Sequence, residues 1–181
     1  MPAQRDHGFT LFEVLTVVVI IGIMLVLLLP VLSYMRSRAQ RVQCMSNLRS
    51  LYAATELFIQ QNGSWPQIPV TDDDSEAADQ TYAKNWIAAL APFGVTQKAW
   101  ICPTIQGLMH NPDLSKPENV RVDYFACSFD DKPTTPHQWP RQPWFAEVGD
   151  VHGNGNLIIF TDGSISDLNT VVAKPSPSAS H

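Results

Sequence analysis

The chain has 181 residues, 45% of them apolar, with 12 basic and 17 acidic side chains and a formal net charge of -5. The sign is unevenly placed: after residue 50 there are 15 acidic and 7 basic residues, a balance of -8, while Arg36, Arg38, Arg41 and Arg49 crowd the segment before it. An acidic body of this kind excludes a protein that neutralises phosphates over a basic stripe, so no nucleic-acid partner is expected.

Residues 1–8, MPAQRDHG, form a short polar leader. From Phe9 to Leu32 there are 24 residues with one charge, Glu13. As a helix rising about 1.5 Å per residue this run reaches roughly 36 Å, enough to cross a bilayer. A secretory signal would have a shorter apolar core followed by a small-residue cleavage site, whereas here the run leads into Ser33, Tyr34 and Met35, so the span is expected to be retained. Glu13 is costly at this depth, up to about 2.5–3.5 kcal/mol at mid-bilayer and less near an end, and calls for a cationic partner. Cutting the chain after Gly8 would create one, because the new α-amino group of Phe9 would lie at the depth of Glu13 on the same or a neighbouring copy. The alternative is a carboxylate that snorkels to headgroup water. Pro30 and Gly22 are weak points of the helix, and a bend is expected near Pro30. Counting the arginines after the span against Arg5 and the terminal amine, offset by Asp6, would place the C-terminal domain in the cytoplasm.

Gly8, then Phe9, Thr10, Leu11, Phe12 and Glu13, a long apolar run and Pro30 in its second half resemble the prepilin signal of type IV pilins and type II secretion pseudopilins. The resemblance implies cleavage between Gly8 and Phe9 by a cytoplasmic-side prepilin peptidase and N-methyltransferase. It assigns Glu13 to neutralising a neighbour's terminal amine during assembly, and Pro30 to kinking the helix. It also implies a subunit held in the inner membrane among lipid, its head outside the cytoplasm, opposite to the arginine count. An inner-membrane assembly platform would draw it into a filament with copies of itself and other pilin-like subunits. Neither catalysis nor a cofactor is required.

Beyond the span, Met35, Ala39, Val42, Met45, Leu48, Tyr52 and Phe58 recur at helical spacing, and Leu51 and Ile59 widen the stripe. Asn62-Gly63 and Pro66 stop this extension, so one helix from about Phe9 to Gln61 would be roughly 80 Å long. Asp72, Asp73, Asp74, Glu76 and Asp79 lack the alternating spacing and glycine of a calcium loop and read as a solvated lead-in to a helix. That helix, Tyr82 to Ala91, turns Trp86, Ile87 and Leu90 inward and ends at Pro92 and Gly94. Ala99 to Thr104 and Val120 to Ser128 read as strands. Each carries a cysteine, and a Cys102 to Cys127 bridge would add about 3 kcal/mol. Free buried thiols are the alternative, Cys44 is left over, and without a Cys-x-x-Cys pair no zinc site is expected.

Pro133, Pro136, Pro140 and Pro143 argue against a central strand in residues 129–149, where Trp139 and Trp144 would pack the loop down or meet a partner. From Asp150 to Asp167 the pattern is a hairpin: a buried strand at Leu157 to Thr161, an Asp162-Gly163 turn and a return strand. Cys44, Asn47, Leu48 and Arg49 followed by Asn62, Gly63 and Pro66, and His152 followed after nine residues by Asp162-Gly163, resemble the H-X9-DG prepilin-processed proteins of planctomycete and verrucomicrobial type. Asp150, Asn154, Asn156, Asp162 and Asp167 are hard oxygen ligands that suit calcium, yet they are also what tight turns use. A hydrogen bond from His152 pinning the hairpin fits better than a catalytic pair with Asp162. Residues 172–181 read as a disordered tail.

The expected fold is α+β: leader 1–8, membrane helix 9–32, amphipathic extension 33–62, a head over 63–171 built on a small antiparallel sheet, and the tail. The expected function is structural. The alternative is a membrane-anchored extracytoplasmic binding module or enzyme that uses the helix only as a tether.

Overall fold

A computed structural model of the protein describes residues 11–70, 75–109 and 120–173, the side chain of Pro30 excepted. The leader, Gly8, Phe9, Asp72 to Asp74 and the chain beyond Ala173 lie outside the described residues. Helix α1, Leu11–Asn62, is helical throughout, and Pro30 does not break it. The chain divides into two compact units, Met1–Ala39 and Gln40–His181.

In the first unit, consecutive apolar residues such as Val17, Val18, Val19 and Ile20 are all exposed. Successive helical positions advance about 100°, so such a run presents hydrocarbon in every direction.

The second unit is built around the rest of α1, where Cys44, Leu48, Leu51, Ala54 and Ile59 are buried together with Asn47 and Thr55. The buried stripe is therefore rotated from the expected one. Met35, Ala39 and Val42 are exposed, while Met45, Tyr52 and Phe58 pack on its flank. Gly63 ends the helix at φ 73, with its amide donating to the Ile59 carbonyl at 2.8 Å. Helix α2, Glu76–Leu90, is capped by the Ser75 hydroxyl, which accepts from the Ala78 amide, and buries Ala83, Trp86 and Leu90. Its start is six residues earlier than expected, and Gly94 in the left-handed conformation closes the turn after it.

Two strand expectations are corrected. Gln97–Trp100 is a 3-10 turn and Pro103–Leu108 is a short helix, α3, rather than a strand over 99–104. Pro103 at the first helical position explains the change, since its fixed φ suits a helix start and it lacks a ladder donor. Residues 129–149 do contain a strand in the middle of the sheet. The four strands β1 Tyr124–Ala126, β2 Pro143–Glu147, β3 Leu157–Phe160 and β4 Ile165–Asp167 form an antiparallel meander in the order β1-β2-β3-β4. Proline is tolerated because it opens β2, where the register shifts between Pro143 and Phe145. Strand β1 is shorter than the expected 120–128, and Asp123 just before it is buried. Helix α4, Leu168–Ala173, carries order two residues into the expected tail. The layout is thus a long N-terminal helix followed by a small antiparallel sheet, an α+β, pilin-like arrangement. Its core is aromatic: Trp65 packs edge-on to Trp86, Trp144 and Phe129 at ring separations of 6.0, 5.1 and 4.7 Å.

Candidate functional site

Two places carry chemistry. The first is the N-terminal part of α1, the described helix long and apolar enough to cross a membrane. None of its most apolar window is buried among the described residues. Glu13 lies in the first turn, where a carboxylate also meets the positive end of the helix dipole. Gly8 and Phe9 lie outside the described residues. In sequence, Glu13 is four residues from Phe9, about one helical turn or 6 Å. Gly22 opens a shallow apolar notch between Val19, Ile23, Val26 and Leu27, with nothing within 4 Å of where its Cβ would be.

The arginines after the span have different uses. Arg38 donates to the Tyr34 hydroxyl at 3.2 Å on an exposed face. Arg41 donates through one nitrogen to both oxygens of Asp167, at 2.8 and 2.7 Å, and so ties α1 to the end of β4.

The second place is where α1, α3 and the sheet meet. Cys44 on α1 forms a disulfide with Cys102 at the N-cap of α3, their Cα atoms 5.3 Å apart. Cys127 is free and half-buried, and burial pushes its thiol pKa up. This corrects the expected Cys102 to Cys127 pair. The chain crosses Cys102 at Asp123, whose amide donates to the Trp100 carbonyl at 2.8 Å and whose carboxylate accepts from the Cys102 amide at 2.8 Å. Four extended residues further on, Cys127 is roughly 13 Å away along the strand, beyond disulfide reach. Arg121 grips the same carboxylate, Nε to Oδ1 at 2.6 Å and Nη2 to Oδ2 at 3.0 Å. Desolvation nonetheless raises the pKa of Asp123, outweighing the pull of Arg121.

His152 does not pin the hairpin. Its Nε2 is 3.3 Å from Glu147 Oε1 and 3.9 Å from Cys102 Sγ. The side chains of His152 and Glu147 are 2% and 0% exposed. The hairpin is held by Tyr52, whose hydroxyl donates to the Thr161 carbonyl at 2.8 Å, and burial is the main reason its pKa is pushed up to about 12. Gly163, at φ 72, sits against the Tyr52 ring, and Asp162 accepts from the Ser164 amide at 2.9 Å.

Each of the five calcium candidates has a hydrogen bond or ion pair of its own. Asp150 accepts from the Gly153 amide, Asn154 donates to the Thr170 hydroxyl, and Asn156 donates to the Glu147 carbonyl. Asp162 serves its turn and Asp167 serves Arg41. Among the described residues, metal-ligating atoms gather instead at Cys44, Cys102, Glu147 and His152, all within 4.8 Å of one another. Glu147 and the pairing of Cys44 escaped the sequence analysis. Simple parity could have found their burial but not their partners: Cys44 shares the helical face of Leu48 and Leu51, and Glu147 shares the strand face of Phe145. Trp144 is fully buried and donates to the Pro136 carbonyl at 2.9 Å, whereas Trp139 is 61% exposed.

Residues 3–29 match the family model described as the prokaryotic N-terminal methylation motif. The chain is similar to type II secretion system core protein G of Klebsiella pneumoniae, 35% identical over 63 residues, which is 35% of this chain and 45% of the relative. It is also similar to core protein G of Pectobacterium carotovorum subsp. carotovorum, 34% identical over 62 residues (34% of this chain, 40% of the relative), and of Aeromonas hydrophila, 33% identical over 66 residues (36% and 46%). The match thus spans less than half the length of these curated relatives. No solved structure matches the chain.

Proposed function

We propose that this chain is a structural subunit of a type II secretion pseudopilus or a pilus-like filament, cut between Gly8 and Phe9, methylated on Phe9 and assembled through its N-terminal helix. One observation carries the proposal. Residues 3–29 match the N-terminal methylation motif, and the described part of that stretch is helix with its apolar side chains exposed among the described residues. In the membrane, lipid covers that surface; in a filament, neighbouring helices do, with the Gly22 notch allowing close approach. Relatives described as core components of a type II secretion system support a pseudopilus, with copies of this chain and other pilin-like subunits as partners.

The proposed orientation puts the head outside the cytoplasm. The Cys44 to Cys102 disulfide supports this, because such bonds persist in oxidising compartments. The Arg41 to Asp167 pair weakens the contrary arginine count, since Arg41 is used inside the head. The prepilin peptidase, the assembly platform and membrane lipid are the further partners proposed.

Assembly in this scheme sets the Phe9 amine of one copy against Glu13 of another in a water-poor bundle. Removing one partner strands the other, at about 3–5 kcal/mol for a fully buried pair. Near the end of a span the lower figure applies, about two decades in subunit affinity. Glu13→Ala is expected to leave a processed, membrane-inserted protein that does not polymerise. Filaments at normal yield from this variant would overturn the proposal.

A further inference from the structure

The expected absence of a zinc site rested on the missing Cys-x-x-Cys spacing. The fold supplies the ligands from four separate places: α1, the start of α3, the end of β2 and the loop after it. Cys44 Sγ, Cys102 Sγ, His152 Nε2 and a Glu147 carboxylate oxygen lie within 4.8 Å of one another. We propose that the reduced chain binds one zinc-class divalent cation at these four side chains, in a state that excludes the Cys44 to Cys102 disulfide.

Glu147 is the reason a disulfide alone is an incomplete account of the site. Its side chain is fully buried, and neither carboxylate oxygen has a hydrogen bond among the described residues. The neighbour at Oε1 is His152 Nε2, 3.3 Å away, and a cation held by both side chains satisfies the carboxylate where a neutral disulfide does not. The residue types also agree, since paired thiolates with imidazole and carboxylate select zinc over calcium or magnesium. Bonds of about 2.0–2.3 Å place tetrahedral ligand atoms about 3.3–3.8 Å apart. One separation already matches, 3.3 Å between His152 Nε2 and Glu147 Oε1, and the 3.9 Å between His152 Nε2 and Cys102 Sγ is just beyond the range. The sulfurs must part to a similar spacing, which the 5.3 Å between the cysteine Cα atoms permits by side-chain rotation.

Binding releases the two thiol protons and leaves the metal's oxidation state unchanged. No reductant is needed, because a chain made in a reducing cytosol starts in the thiol state. The site is independent of the filament proposal: it concerns the head alone and is read out without assembly.

The test uses the full chain in detergent, metal-free, anaerobic and reduced, titrated with Co2+ and then with Zn2+. One equivalent of cobalt should give the visible bands of a tetrahedral site and a near-ultraviolet thiolate charge-transfer band, both erased by zinc. The oxidised chain should give neither. Glu147→Gln and His152→Ala should each weaken binding about ten-fold or more, and Cys127→Ser should leave it unchanged. The proposal is overturned if the reduced chain takes up no cobalt, or if Glu147→Gln and His152→Ala bind like the parent. Should both variants fail to fold, the unfolding midpoint of the parent decides: zinc must raise it in the reduced chain and not in the oxidised one, and a midpoint indifferent to zinc refutes the site.

Discussion

Replacing both ends of the Cys44 to Cys102 bond, as Cys44→Ala with Cys102→Ala, tests how the head is held to α1. The bond closes a loop with a sequence separation of 58. In the chain-entropy model a loop of that length withholds about 4 kcal/mol from the unfolded state at 25 °C. For a protein of this size each kcal/mol moves the midpoint by about 2–4 °C, so the double variant should melt about 10–15 °C below the parent. Tryptophan fluorescence reports this directly, because Trp65, Trp86, Trp100 and Trp144 are all buried in the head. The measurement is made on the full chain in detergent with a chelator present, and reductant should bring the parent down to the midpoint of the double variant. Cys127→Ala is the control. Its thiol is unbonded and half-buried, so it should cost under about 1 kcal/mol. A loss from Cys127→Ala as large as that of the double variant, which removes Cys102 from either pairing, would restore the pairing expected from sequence and refute the register argument through Asp123.

Arg41→Ala should destabilise the head by about 1 kcal/mol, the half-exposed position of the arginine limiting the effect, and a double-mutant cycle with Asp167→Asn should show that the losses are coupled. Trp144→Ala should cost about 3–5 kcal/mol, since it empties a core site and takes from the Pro136 carbonyl the shorter of its two hydrogen bonds, whereas Trp139→Ala should stay within about 0.5 kcal/mol. Urea unfolding of the two variants separates these outcomes.

Much of this molecule is legible in its sequence where a pattern is long or a turn is chemically constrained. The apolar run predicts the membrane-length helix, Gly63 its end, and Asp162-Gly163 the β3 to β4 hairpin, because each depends on residues close in the chain. What escapes depends on partners far apart. Pro143 argues against a central strand by local rule, but it opens β2, where the missing donor is harmless. The aliphatic stripe of α1 is legible as a period but not as a phase, since Cys44, Asn47 and Thr55 share the buried face with the leucines and do not look hydrophobic. Cys102 pairs with Cys44 because the stretch before β1 passes Cys102 at Asp123, a register no spacing reveals. The cluster of Glu147 and His152 is hidden for the same reason: it exists only once β2 and the following loop are laid against α1.

The central claim is that the N-terminus is remade so that a free amine stands one helical turn before Glu13. Intact-mass and fragment analysis of the N-terminal peptide from membranes of the producing cells tests it most directly. The account predicts a mature chain beginning at Phe9 and carrying one methyl group on its α-nitrogen. A chain still beginning at Met1, with Gly8 joined to Phe9, would contradict it.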